Sequence, residues 1–344
     1  MDLTPRKQAI LAAIVKYHIA TGAPVGSKWL TTTLENAPSS ATLRNEMSEL
    51  SSMGFLTQPH TSAGRVPTNK GYEFYVSNLM QKDEITDREK AYINKCMEEA
   101  AADTENVHIL AAKILSLVTG LPAFAAKSAD EKAVIKKVQL SLLGGRLIMM
   151  VVITGDGRTK SKLIRSASLI EEDKLSALDS LVKTQVEGKN FKELSFAAMQ
   201  NIYAAAGSNA LALMPLMASL FDIINEMAQP QIDFSGETKI YSLFSGQQAA
   251  RLLMFLEKKD GFLSVVEGTN KETGVIFGNH TGFYELENAT VVLSAYGAKD
   301  SAVGKIGVIG PTRMSYGHIV SVISYLAEKL GEILNQGIKD LEEY

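Results

Sequence analysis

The stretch Ser39-Ser40-Ala41-Thr42-Leu43-Arg44-Asn45-Glu46-Met47-Ser48-Glu49-Leu50-Ser51-Ser52-Met53 decides how the N-terminal part of this chain is read. At about 3.6 residues per turn, Leu43, Met47 and Leu50 fall on one side of a helix. Ala41, Asn45, Ser48 and Ser52 fall on the other, with Thr42 and Arg44 on the flanks. A solvated helix face ordinarily carries long charged side chains, whereas this one carries short hydrogen-bonding groups that permit close approach to another surface. A DNA major groove admits one helix, and Asn pairs with adenine, Arg with guanine or phosphate, and Ser or Thr with either.

The flanks give that helix a setting. Thr4 to Thr21 places Ile10, Ala13, Ile14 and Tyr17 at helical spacing, with Pro5 where a first-turn proline is tolerated. Gly22-Ala23-Pro24 stops it, Ser27 to Leu34 forms a second helix, and Asn36-Ala37-Pro38 turns into Ser39, an N-cap. After Gly54, Phe55 to Gln58 and the Gly/Pro-punctuated run His60 to Pro67 read as a short hairpin. Three helices followed by a hairpin predict a winged helix-turn-helix with the third helix as reader. Thr42, Asn45 and Ser48 are then candidates for base edges, and Ser39, Ser40 and Arg44 for phosphate or purine. Lys28, from the second helix, joins this DNA-binding set. In the hairpin and just after it, His60, Ser62, Arg65 and Lys70 are candidates for backbone or minor-groove contact, against the blander reading of a solvated hairpin.

The run Ser39 to Met47, followed by Gln58-Pro59-His60-Thr61-Ser62-Ala63-Gly64-Arg65-Val66-Pro67-Thr68 and Gly71-Tyr72, resembles the HrcA-type heat-inducible transcription repressors of bacteria. So do Pro24-Val25-Gly26-Ser27-Lys28 and Gly304-Lys305-Ile306-Gly307-Val308-Ile309-Gly310-Pro311-Thr312-Arg313-Met314. The resemblance implies an α+β chain: an N-terminal winged helix, then a GAF-like antiparallel-sheet domain interrupted by a mainly helical inserted dimerisation domain. It implies repression of chaperone operons through the inverted-repeat CIRCE operator, bound as a homodimer, with dependence on the GroE chaperonin and loss of activity on heat stress. Around Tyr241 to Gly246 the chain departs from that family, lacking its Gly/Asn-rich stretch and Pro-Glu-Phe.

Bulk properties bound the rest. A chain of 344 residues suggests two or three domains, and 46% hydrophobic with 21% charged residues places it among globular proteins. The longest apolar run, Leu147 to Ile153, is too short to span a bilayer, and no signal-peptide core opens the chain, so a cytoplasmic protein is expected. The single cysteine, Cys96, excludes an internal disulfide framework. Net charge is −3, but residues 1–82 hold eight basic and five acidic side chains, an excess of +3 that leaves −6 for the remainder. That asymmetry points the N-terminal domain at phosphates, and so modest an excess calls for two copies on one duplex.

Enzymatic readings find no footing. The five histidines are scattered, no His or Cys cluster has metal-ligand spacing, and no cofactor or metal is expected. Gly297 to Lys305 ends like a phosphate loop, but the glycine gap is too long and Ile306 stands where Ser or Thr is needed. Gly304, Gly307 and Gly310 read instead as sites of tight strand packing.

Along the chain, residues 1–82 are expected to form the DNA-binding domain, and the resemblance implies a GAF-like domain over 89–168 with 272–344 and the inserted dimerising domain over 169–271. Strands are predicted near 138–142, 147–153 and 159–165 as a meander turning at Gly144-Gly145 and Gly155-Asp156-Gly157, then near 239–243, 275–278, 290–296 and 303–309. Pro215 predicts a kink or two shorter helices in the apolar stretch 210–221, whose excess suggests a buried dimer surface. Two other function classes stay open: a regulator whose GAF-like domain binds a small molecule, and a winged helix that binds protein instead of DNA.

Overall fold

The computed structural model describes residues 3–60, 64–102, 106–129, 133–155, 158–166, 169–194, 200, 202–204, 210–269, 272–298 and 301–342. Helix α1 (Pro5–Thr21) starts where the Thr4 hydroxyl accepts from the Lys7 amide, and stops at Gly22, whose φ of 72° only glycine adopts freely. Helices α2 (Ser27–Thr33) and α3 (Ser40–Ser52) follow, then the two-residue strands β1 (Leu56–Thr57) and β2 (Val66–Pro67), paired antiparallel. Arg65 and Val25 exchange backbone hydrogen bonds of 2.8 and 2.9 Å, tying the hairpin to the turn before α2. Helix α4 (Asn69–Phe74), continued by a π turn over Tyr75–Leu79, closes this N-terminal head.

Helix α5 (Asp87–Ala100) opens with a capping box between Thr86 and Glu89, and α6 (Val107–Thr119) ends at Gly120. Strand β3 (Ala123–Lys127) precedes a meander of β4 (Ile135–Gly144), β5 (Leu147–Thr154) and β6 (Thr159–Arg165). Asp156 and Gly157 of the second predicted turn lie outside the described residues. Helices α7 (Glu172–Val186) and α8 (Ala210–Ala228) lead to β7 (Gln231–Ser235). The chain then continues through α9 (Gly246–Glu257), α10 (Asp260–Glu267), β8 (Thr273–Phe277), β9 (Ala289–Ala298), β10 (Ser301–Pro311) and the long α11 (Tyr316–Glu342).

Two sheets carry the mixed α/β architecture beyond the head, both antiparallel. One has five strands in the order β7-β3-β10-β9-β8, and the other is the β4-β5-β6 meander. The larger sheet is buried on both faces. Val292, Tyr296, Ile306 and Val308 pack with α6 and α11, while Phe124, Val291, Leu293 and Ile309 pack with α9 and α10. The period-2 alternation of β9 sends successive valines to opposite cores. The central strand β10 needs its glycines, since a Cβ at Gly304 would strike the Ala126 carbonyl and one at Gly307 the Val292 carbonyl.

The meander does not join that sheet. Its inner face, Val138, Met150, Val152 and Ile164, shares a separate core with Leu178, Val182, Leu216 and Leu220 of α7 and α8. The expected cut at 168/169 therefore passes between three strands and the helices that cover them, and this apolar cluster runs from Ala133 to Met227. Two further differences have local causes. Residues 239–243 are helical, because Gly236 at φ 74° turns the chain and Lys239 reaches back to Ser116; the edge strand lies earlier, at β7. Pro215 sits within one continuous helix, α8, in its second turn.

Candidate nucleic-acid interface

Helix α3 divides its side chains as its spacing demands. Leu43, Met47 and Leu50 are buried against α1 and α2, while Ala41, Arg44, Asn45, Ser48 and Ser52 are exposed. Ser39 caps the helix, its Oγ accepting from the Thr42 amide at 3.2 Å and lying 3.0 Å from the Thr42 hydroxyl. Thr42 is consequently half-buried and engaged. The Ser40 hydroxyl lies 2.9 Å from that of Ser27, fastening the start of α3 to the start of α2. Lys28, one residue on, is exposed, and Trp29 packs against Tyr17 with ring centroids 4.4 Å apart and planes tilted by 51°.

The two acids of α3 face α1. Lys7 Nζ lies 2.8 Å from Glu49 and 3.4 Å from Glu46, and Arg6 lies 3.7 Å from Glu46. The hydrogen bond that the Lys7 ammonium donates to Glu49, then the charge of Glu46, hold its pKa above the usual value. These cations offset two carboxylates that would otherwise repel a phosphate backbone from the open face. Sequence spacing did not single out this pairing, because the partners lie on different helices.

The hairpin candidates divide. Arg65 Nε donates to Ser51 Oγ at 3.0 Å, and Lys70 Nζ donates to the Met53 carbonyl at 2.8 Å while sitting 4.6 Å above the Phe55 ring. Both cations thus hold the C-terminal end of α3 as well as facing solvent. His60 is exposed, and Ser62 lies outside the described residues. Gly71 lets α4 press on the strand entry: a Cβ there would strike the Phe55 carbonyl. Arg44, Asn45 and Ser48 on α3 and Lys28 on α2 are exposed, and none of the four side chains has an internal partner among the described residues.

The head rests on the rest of the chain through a seam that the sequence reading did not anticipate. His18 Nδ1 lies 2.7 Å from the Tyr72 hydroxyl, and the Tyr72 ring centroid lies 6.3 Å from that of Tyr316. Arg313 donates to the Ile19 carbonyl at 3.2 Å, and His280 lies 2.8 Å from Glu73. Burial pushes the phenols of Tyr72 and Tyr316 well above the usual range and the His18 imidazole below it. The only available signal was the string Gly310 to Met314, whose Arg313 carries one of these contacts.

An α+β chain with antiparallel sheets and an uncommitted polar helix face at one end has close counterparts. A crystal structure of a protein described only as hypothetical matches with a TM-score of 0.64 at 20% identity, covering 98% of this chain and 100% of that one. Residues 105–320 match the family described as the HrcA protein C terminal domain. The heat-inducible transcription repressor HrcA of Acetivibrio thermocellus is 32% identical over 99% of both chains. That of Clostridioides difficile is also 32% identical, over 95% of this chain and 98% of its own. The chain belongs to the HrcA family, whose named members are heat-inducible transcription repressors. Among the described residues, no helix is long and apolar enough to cross a membrane.

Proposed function

We propose that this protein is a cytoplasmic transcriptional repressor of heat-shock operons that binds an inverted-repeat operator of the CIRCE type as a homodimer. The head acts as a winged helix, with α3 in the major groove and the hairpin on the backbone. Asn45 and Ser48 read base edges, Arg44 and Lys28 take phosphate or purine, and Arg65, Lys70, His60 and Ser62 support the hairpin contact. The carrying observation is the exposed face of Arg44, Asn45 and Ser48 on a helix whose opposite seam is buried and whose acids are neutralised by α1. The five-stranded sheet and its helices serve as the GAF-like domain. For the dimer, the support is the apolar surface of the meander and the insert, where Leu163 of β6 and Leu169, Leu211 and Met214 of the insert are all more than half exposed.

Heat acts on the fraction folded. A marginally stable dimer that needs the GroE chaperonin loses occupancy when unfolded clients draw the chaperonin away. Gel-shift titration of the full chain against a palindromic duplex and a scrambled duplex at moderate salt tests the core of this function. Preference for the palindrome is expected; equal binding to both duplexes overturns it. Repeating the titration after heating and cooling, with and without chaperonin, tests the switch, and full recovery without chaperonin overturns that part alone.

A further inference from the structure

A cavity of about 480 Å³ lies on the α9 side of the larger sheet, beside the edge strand β7. Its lining comes from three consecutive stretches of chain: Phe234 of β7, Glu237 and Tyr241 of the helical turns that follow, and one side of α9. Helical spacing puts Ala250, Leu253, Met254 and Glu257 on that side, at i, i+3, i+4 and i+7. Leu256 is buried, and Phe234 and Leu253 are half-buried, with the Phe234 ring centroid 5.5 Å from that of Phe262. The inner wall is therefore held by the core beneath it. Tyr241 and Met254 complete the wall and are each 65% exposed, although both are large and apolar. Apolar groups gathered round a concavity, unlike those scattered singly, mark a place where another molecule covers them. A thioether and two aromatic rings favour a flat, polarisable apolar body.

The polar part of the lining is acidic. Neither Glu237 nor Glu257 has a hydrogen bond or ion pair with any described residue. Lys259 is the one cation among the described lining residues, and its ammonium is occupied, lying 3.9 Å from Asp233. Two uncommitted carboxylates beside an apolar wall suit a ligand with an apolar body and a positively charged end. The volume falls within the roughly 300–1,000 Å³ of small-molecule sites, so the occupant is a small organic molecule.

We propose that this cavity binds a small organic cation of the arylalkylamine class, its ring against Phe234, Tyr241 and Met254 and its ammonium at Glu237 and Glu257. The site shares no residue with the face of α3 proposed to meet DNA, and its failure leaves that reading untouched.

The test is thermal melting and isothermal calorimetry of the full chain with tryptamine hydrochloride, set against indole-3-propionate and against ammonium chloride at matched ionic strength and pH. A saturable rise in melting temperature with tryptamine is expected, absent with ammonium chloride, and the acid should bind at least about tenfold more weakly. Glu237→Gln combined with Glu257→Gln should weaken tryptamine binding about tenfold or more, the scale of one charge-assisted hydrogen bond. Ala250→Trp, at an exposed position of α9, should abolish binding by filling the space, while Glu98→Gln on the exposed side of α5 leaves it unchanged. Should Ala250→Trp fail to fold, the paired Gln variant carries the test. No saturable shift with tryptamine, equal affinity for indole-3-propionate, or undiminished affinity in Ala250→Trp or in the paired variant overturns the proposal.

Discussion

Arg65 Nε donates to Ser51 Oγ at 3.0 Å, so the side chain that opens the returning strand of the hairpin is tied to the last turn of α3. Ser51 in turn donates to the Met47 carbonyl at 2.9 Å, which makes a relay from hairpin to helix backbone. Ser51→Ala removes the acceptor and leaves the cation. It should lower stability by about 1 kcal/mol, the net value of one hydrogen bond, with the salt dependence of operator binding unchanged. Arg65→Ala should show the same loss and also a flatter salt slope, because it deletes a charge near the phosphates. Denaturant melts and gel shifts over a salt series separate the two; equal slopes in both variants would remove Arg65 from the phosphate contacts.

Asn45 is exposed in the middle of α3, whose buried residues are Leu43, Met47 and Leu50. Asn45→Ala should weaken operator binding by roughly 1–3 kcal/mol and relax preference at one operator position, since a bidentate amide-adenine pair carries that much discrimination. Binding to a panel of single-base operator variants measures it. A uniform loss across the panel would assign Asn45 to the backbone.

Lys7 pairs with Glu46 and Glu49 beside the face of α3 proposed to meet DNA. Lys7→Ala should weaken operator binding several-fold at low salt and by less at high salt, as screening mutes the two uncovered carboxylates. Adding Glu49→Gln to Lys7→Ala should restore part of the loss. No recovery in the double variant would mean that Lys7 contacts DNA itself.

Gly71 allows α4 to lie against the Phe55 carbonyl, whereas nothing stands near a Cβ built on Gly26. Gly71→Ala should destabilise the head by about 1–3 kcal/mol through forced backbone displacement, and Gly26→Ala should change little. Chemical denaturation of both variants checks the contrast.

His18 gives the seam a pH dependence. Its folded-state pKa lies below the ordinary imidazole value of 6.5, chiefly through burial and then through the Arg313 charge. The unfolded chain therefore binds the proton first, so stability falls as pH drops below that value and levels off beneath the folded pKa. Melting temperatures from about pH 7.5 down to 5 should show this fall, and His18→Gln should reduce its slope. An unchanged slope would exclude His18 as a contributor.

The helices of the head were legible because Ile10, Ile14, Leu43, Met47 and Leu50 repeat at helical spacing and because Ser39 and Gly22 mark boundaries chemically. Strand β3 was not, since Ala123-Phe124-Ala125-Ala126-Lys127 has neither alternation nor β-branching. Its small side chains serve a strand buried on both faces. The meander was legible as three strands but not in its allegiance, which depends on whether Val138 and Val152 meet α7 and α8 or another sheet. Around α3, Asn45 could be placed on the outer face and Arg44 on its flank from spacing alone. The internal ties of Arg65, Lys70 and Ser40 could not, because a sequence displays a charge or a hydroxyl without its distant partner.

The seam has a further consequence. One apolar cluster runs unbroken from Leu3 and Leu43 through Tyr72 to Tyr316 and Leu330, so the N-terminal and C-terminal ends of the chain solidify as a single body. A fragment severed after α4 would carry away half of that body and present the raw half to water. Warming should accordingly dissolve head and sheet in one cooperative event, leaving no detached, still-competent gripping unit behind.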